Sequence, residues 1–180
     1  MRPTTDRDLI PAWVDGSLQP ADKMSVHRLG QRHKAVSVFL TVGPMTLIQR
    51  RAPGKYHTPG LWANACCTHP LWGETPAACA TRRLTEELGL PALSPEPVAQ
   101  VEYRADVGNG MVEHEVVDVF RAEIGRDTCF RPDAAEVMDL AWIGLPDLIA
   151  AIVRESARFT PWLRIYLADH FQTIFADTAN

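Results

Sequence analysis

The sequence has no apolar run that could cross a bilayer. Its longest, AVSVFLTV at 35–42, is far shorter than the roughly 20 residues a span needs, so no membrane partner is expected. The opening stretch, MRPTTDRDLI, has no apolar core of a secretory signal, and a cytoplasmic setting with reduced thiols is the expectation. Cysteine is scarce, four in 180 residues, and no CxxC pair occurs, which disfavours both a thiolate zinc knuckle and a disulfide framework. Neither sign of charge dominates. Eighteen Lys and Arg against 22 Asp and Glu leave a net charge of −4, so nucleic acid is not an expected partner and any anion site must be local. Repeats, low-complexity tracts and linkers are absent, and the 46% apolar content fits one domain over 1–180 with a buried core. Residues 1–20 carry no motif and read as an N-terminal extension. Composition leaves the oligomeric state open between a monomer and a weak dimer.

Hydrophobic patterning gives the elements. HKAVSVFLTVGPMTLIQRR (33–51) reads as two strands joined at Gly43-Pro44. LWANACCTH (61–69) is extended and leads into a loop. The spacing predicts a helix over 76–88, with Thr75 as N-cap, Pro76 in the first turn and Gly89 as the stop. Its apolar stripe would be Ala77, Ala80, Leu84 and Leu88, with Arg82, Arg83, Glu86 and Glu87 elsewhere. VAQVEYRADVGNGMVEHEVVDVF (98–120) reads as a second hairpin around Asn109-Gly110, and EVMDLAWI (136–143) as a strand. Two helices close the chain, about 146–158 and about 161–175, the second capped by Thr160. Strands first, one helix between and helices last predict an α+β fold around a mixed, largely antiparallel sheet.

Strand alternation gives NACCTHP (64–70) its meaning. Cys67 and His69 point one way and Cys66 the other; likewise Glu113 and Glu115 share a face and His114 turns away. Each pair alone is weak, because a buried Cys is most often a small hydrophobe and alternating carboxylates usually line a solvated face. HRLGQRH adds His27 and His33. If these meet His69, Glu113 and Glu115, three nitrogens and two oxygens would suit Mn²⁺, Zn²⁺ or Mg²⁺. His57, His114 and His170 read as surface residues. Positive charge gathers at Lys23, Arg50, Arg51, Lys55 and Arg83, each most simply a solvated side chain. Glu87 lies one turn after Arg83 on the same face, so an anion on Arg83 with Mg²⁺ bridging to Glu87 is chemically sensible.

THPLWGETPAACATRRLTEELGL (68–90) resembles the Nudix box, G-x5-E-x7-R-E-U-x-E-E-x-G-U, where U is aliphatic. Glu74, Arg82, Leu84, Glu86, Glu87, Gly89 and Leu90 match its spacing. Thr68 stands where the box has its first Gly, and Arg83 replaces a Glu. The second departure reverses a charge in what would be a metal-binding carboxylate cluster. With HRLGQRHKAVSVFL, RRAPGKYHTPGLWANACCTHP, YRADVGNGMVEHEV, EVMDLAW and FTPWL in order, the chain is similar to the type I isopentenyl diphosphate isomerases, a branch of the Nudix fold. The resemblance runs from about Lys23 to the last helix and implies a Nudix-type α/β/α sandwich.

The resemblance further implies that His27, His33, His69, Glu113 and Glu115 bind one divalent metal. It implies that Cys67 and Glu115 transfer protons, with Tyr103 beside Glu115, and that Trp162 faces the isoprenoid. Lys23, Arg51, Lys55 and Arg83 would take an isoprenoid diphosphate, and Glu87 the Mg²⁺ bound with it. A Nudix diphosphohydrolase is the alternative, one with no use for Cys67, the three histidines or Trp162. Hairpin register bears on Tyr103. A two-residue turn at Asn109-Gly110 would pair residue 104 with 115, whereas a three-residue loop over 108–110 pairs Tyr103 with Glu115, so the longer loop is expected.

Overall fold

The computed structural model describes residues 9–91 and 93–176. Strand β1 (Leu9–Val14) and strand β2 (Ser17–Asp22) form a hairpin, and helix α1 (Lys23–Leu29) follows directly. The long strand β3 (Arg32–Val42) organises the sheet. It is joined to β4 (Met45–Arg51) through Gly43-Pro44, and the short strands β5 (Trp62–Asn64) and β6 (Cys66–Thr68) come next. After helix α2 (Pro76–Leu88) come the hairpin strands β7 (Glu96–Gly108) and β8 (Met111–Glu123), then β9 (Val137–Gly144). The chain closes with α3 (Leu145–Arg154), a 3₁₀ turn at Ser156–Arg158, α4 (Pro161–Asp169) and α5 (Phe171–Phe175). None of the described helices is long and apolar enough to cross a membrane.

Alternation along the strands separates two cores. Val36, Val38 and Leu40 of β3 pack with Cys66 against Cys79, Ala80, Leu84 and Leu88 of α2. Ala35 and Phe39 face the other way with Val117 and Val119 of β8, and α3, α4 and α5 cover them with Leu148, Trp162, Tyr166 and Phe175. Phe39 meets Tyr166 and Phe175 edge-on at 5.9 and 5.1 Å, contacts worth about 0.5–1.5 kcal/mol each beyond area burial. The result is the expected α/β/α sandwich on a mixed sheet. β3 runs antiparallel to β1, β4 and β6 and parallel to β8.

Helix α2 starts and stops where its caps dictate. The Thr75 hydroxyl accepts from the Ala78 N–H at 3.3 Å, and Gly89 takes φ 66°. A Cβ at Gly89 would lie 2.5 Å from the Arg131 carbonyl oxygen, so close approach as well as φ requires glycine there. The inward stripe differs from expectation. Ala77, in the first turn, is exposed, while Cys79 and Glu87 are buried; Glu87 falls three residues after Leu84 and seven after Ala80, on the core-facing side. The closing helices are also shorter than expected. Glu155 (φ −138°) ends α3, His170 (φ −127°) separates α4 from α5, and Thr160 stands before α4 without a capping bond.

The β7–β8 register pairs Tyr103 with Glu115, as expected, by a different device. The turn has two residues, Asn109 and Gly110, both left-handed at φ 54° and 68°. The register shifts between Asp106 and Gly108, so Val107 is an inserted bulge residue that restores the pairing.

Candidate active site and metal centre

Adjacent strand ends gather the polar residues. Because β3 and β8 run parallel, His33 lies directly beside Glu115. α1 brings His27 over them from its last turn, where Gly30 takes φ 61° and ends the helix. His69 follows β6, which pairs with the next stretch of β3. His33 Nε2 is 3.2 Å from His69 Nε2, and His69 Nε2 is 3.0 Å from Glu115 Oε1. The His27 ring lies 4.8 and 4.9 Å from the rings of His33 and His69. All these side chains are buried, as is Glu113.

Backbone carbonyls set the tautomers. His27 Nδ1 lies 2.7 Å from Lys23 O, and His33 Nδ1 lies 2.7 Å from Gln31 O. A carbonyl oxygen only accepts, so in the neutral rings Nδ1 carries the hydrogen and Nε2 turns its lone pair into the pocket. Burial holds the His27 imidazole neutral, down to about 4. Its Nε2 is buried without a partner. Convergent lone pairs, an unpartnered ring nitrogen and two buried carboxylates are what a divalent cation would satisfy, so the residues fit that group.

One hydroxyl links the carboxylates. Tyr103 Oη is 2.8 Å from Glu113 Oε2 and 2.6 Å from Glu115 Oε2. A hydroxyl has a single hydrogen, so without a cation one carboxyl must itself hold a proton. Burial and the Glu115 charge push Glu113 well above the ordinary carboxylate range. Burial would raise Glu115 too, yet His33 and His69 beside it drive it well below. The two carboxyls thus differ in proton affinity for reasons built into the fold.

Cys67 faces the same space. Alternation puts Cys66 into the α2 core and Cys67 on the site side, opposite Ser37 of β3. Asn64 fixes the junction: its Nδ2 lies 2.9 Å from Ser37 Oγ, Val38 O and Cys66 O. Burial, then the Glu115 and Glu113 charges, push the Cys67 thiol up, so it stays protonated at neutral pH. Cys67, Glu113, Glu115 and Trp162 line one pocket, about 350 Å³ of non-atom space including its open mouth. Trp162, near the start of α4, is fully buried, and the Arg51 guanidinium carbon stands 5.2 Å over its ring.

Lys23, Arg51, Lys55 and Arg83 line the other side of this pocket. Burial, then Lys55 and Arg83, bring Lys23 down to about 8. Two of the four cations are already held by carboxylates. Arg83 reaches Glu87 at 2.6 Å, Glu86 at 2.8 Å and Glu136 at 3.1 Å, and Lys55 pairs with the same Glu136. Glu87 also accepts from Gln49 Nε2 at 3.2 Å. The earlier box residue Glu74 is committed to Arg82 through two 2.7 Å contacts. Of the sequence-selected residues, Lys23, Arg51, Lys55, Cys67, His69, Arg83, Glu113, Glu115 and Trp162 line one pocket. His27, His33 and Tyr103 contact members of that set and Glu87 pairs with Arg83, whereas Arg50 is exposed and donates to the Gly60 carbonyl.

Glu136, His57 and Tyr56, whose ring centroid lies 5.0 Å from Lys23 Nζ, escaped the sequence reading. Glu136 sits just before β9 in irregular chain, where no periodicity marks it. His57 corrects an expectation: it is buried, with Nε2 3.3 Å from Glu113 Oε1, and burial followed by Arg51 takes it down to about 2. His114 and His170 stand apart, as expected; His114 faces Glu102 at 3.3 Å.

The NUDIX domain family model matches residues 31–163. A Dinoroseobacter shibae protein named isopentenyl-diphosphate Delta-isomerase is 58% identical over 97% of this chain and 99% of its own length. One of the same name from Ruegeria pomeroyi is 59% identical over 93% of each chain. Among solved structures, a MutT NUDIX hydrolase from Burkholderia pseudomallei shares the fold at TM-score 0.60, with 22% identity over 78% of this chain and 98% of that one. The chain is a NUDIX-domain protein of the isopentenyl-diphosphate Delta-isomerase family.

Proposed function

We infer that this protein interconverts isopentenyl diphosphate and dimethylallyl diphosphate. The observation that carries the reading is a thiol, Cys67, and a carboxyl, Glu115, lining one pocket with the indole of Trp162 and four cationic side chains. Moving the double bond requires one proton added at the terminal methylene and one removed from the carbon nearer the diphosphate. The alkene has no carbonyl to delocalise charge, so the intermediate resembles a tertiary carbocation. Cys67 and Glu115 exchange those protons from opposite sides; whichever gives in one direction takes in the other, by microscopic reversibility. Tyr103, its hydroxyl set between the two carboxyls, positions Glu115 and offers the returning proton a path. Trp162 stabilises the cation with its ring face, a contact worth roughly 2 kcal/mol when desolvated, and the buried walls keep water from trapping it.

Lys23, Arg51, Lys55 and Arg83 bind the diphosphate, and Glu87 takes the Mg²⁺ that accompanies it. A divalent cation (Mn²⁺, Zn²⁺ or Mg²⁺) held by His27, His33, His69, Glu113 and Glu115 supplies fixed positive charge that orients Glu115 and lowers its proton affinity. A cytoplasmic setting suits four unpaired thiols. The reading is tested by incubating the metal-loaded protein with isopentenyl diphosphate and resolving the products. Dimethylallyl diphosphate without phosphate release is the expected result; orthophosphate or pyrophosphate release would instead establish a diphosphohydrolase.

A further inference from the structure

We propose that His57 is a direct ligand of the metal centre, so that one cation is offered four imidazoles and two carboxylates. The proposal rests on the metal reading above and adds a residue outside that set.

His57 is built as the other ligand histidines are. Thr58 Oγ1 lies 3.0 Å from its Nδ1, just as Lys23 O and Gln31 O occupy Nδ1 of His27 and His33. Each cap comes from a residue close in sequence and leaves Nε2 turned inward. His57 Nε2 and His27 Nε2 are both buried with no hydrogen-bond partner, an uncompensated desolvation that a shared cation would remove. The His57 ring stacks on that of His27 at 5.7 Å with an interplanar angle of 25°.

The alternative, an N–H donated from His57 to Glu113, does not match the geometry. At 3.3 Å from Glu113 Oε1, His57 Nε2 still forms no aligned hydrogen bond. Its position is that of two donors beside a common point. His27, His57 and Glu113 place their ligand atoms within 4.8 Å of one another, and so do His27, His33, His69 and Glu115. The two groups meet at His27 and at the Tyr103 hydroxyl between Glu113 and Glu115, and a shared cation would draw them into a single centre.

The backbone is strained to deliver this ring. Thr58 adopts φ 47°, a conformation that a β-branched residue rarely takes. That turn supplies the Nδ1 cap, and Arg51 Nη2 donates to the His57 carbonyl at 3.1 Å to hold it. A cation there would be held by protein side chains, and four imidazoles would favour Mn²⁺ or Zn²⁺ over Mg²⁺.

The test uses the full chain loaded with Mn²⁺, with histidine labelled by ¹⁵N. Electron–nuclear double resonance counts the imidazole nitrogens bound to the ion, and chelator competition gives the Mn²⁺ affinity. Four nitrogens are expected in the wild type and three in His57→Ala, with affinity weaker by roughly tenfold or more. Three nitrogens in the wild type would overturn the assignment whether or not the variant folds, and so would equal affinities for the two proteins. A protein that binds no Mn²⁺ would overturn the metal reading itself, a distinguishable failure.

Discussion

Arg83 stands where the Nudix box carries a glutamate, and its removal has a magnitude that can be worked out. Its guanidinium is 18% exposed and touches Glu87, which is only 5% exposed, together with Glu86 and Glu136. In Arg83→Gln, Glu87 keeps only the Gln49 amide as a donor. Breaking a buried pair from one side costs about 3–5 kcal/mol; the partial exposure of Arg83 and Glu136 puts this case near the lower end. At roughly 2–4 °C per kcal/mol for a domain of this size, Tm should fall by about 6–12 °C. Arg158→Gln is the control: Arg158 and its partner Glu155 are 61% and 47% exposed, so the loss should be smaller. Glu87, left without a cationic partner beside Glu86 and Glu136, should also attract Mg²⁺, so millimolar Mg²⁺ should restore part of the lost Tm in Arg83→Gln and little in the wild type. Differential scanning calorimetry of the metal-loaded protein measures both. A loss below about 1 kcal/mol, with no difference in the Mg²⁺ response, would refute the view that Arg83 neutralises this cluster.

Three further outcomes are expected. Tyr103→Phe removes the hydrogen bond to two buried carboxylates, worth about 1.5–3 kcal/mol for a charged acceptor. Its kcat should drop by roughly 10- to 150-fold with little change in KM, and steady-state kinetics near wild type would contradict that role. Trp162→Leu keeps an apolar wall and loses the ring face, so kcat should fall by about 30-fold, the equivalent of roughly 2 kcal/mol; Trp162→Phe should recover part of it. Lys23 is charged below about 8 and neutral above. Its proton favours an anion, so diphosphate affinity measured by calorimetry should weaken as pH rises through that value. In Lys23→Met, pH-dependent weakening in that window should disappear; persistence would assign the titration to another group.

What the sequence disclosed followed from local rules. Thr75, Pro76 and Gly89 marked both ends of α2 because caps act on adjacent backbone, and strand alternation placed Cys67 with His69 and Glu113 with Glu115. What it concealed depended on chain brought together from afar or on irregular backbone. The bulge at Val107 has no signature in residue type, so the Tyr103–Glu115 pairing was reached through the wrong turn. His57 lies between β4 and β5, where no period reports burial, and Glu136 becomes a partner of Lys55 and Arg83 only once the sheet forms. The β1–β2 hairpin had a readable signal. Asp15-Gly16 is a two-residue turn with both φ positive, 48° and 79°, overlooked because the flanking LIPAWV and SLQPAD alternate weakly.

The most direct measurement is deuterium incorporation from D₂O by Cys67→Ala given isopentenyl diphosphate, set beside its metal content and its affinity for the diphosphate. Loss of one proton-transfer group should slow labelled dimethylallyl diphosphate formation by a factor of about 10²–10⁴ or more, while metal and diphosphate binding stay at wild-type values. Labelling at a near wild-type rate would contradict the assignment of Cys67 as one of the two proton carriers.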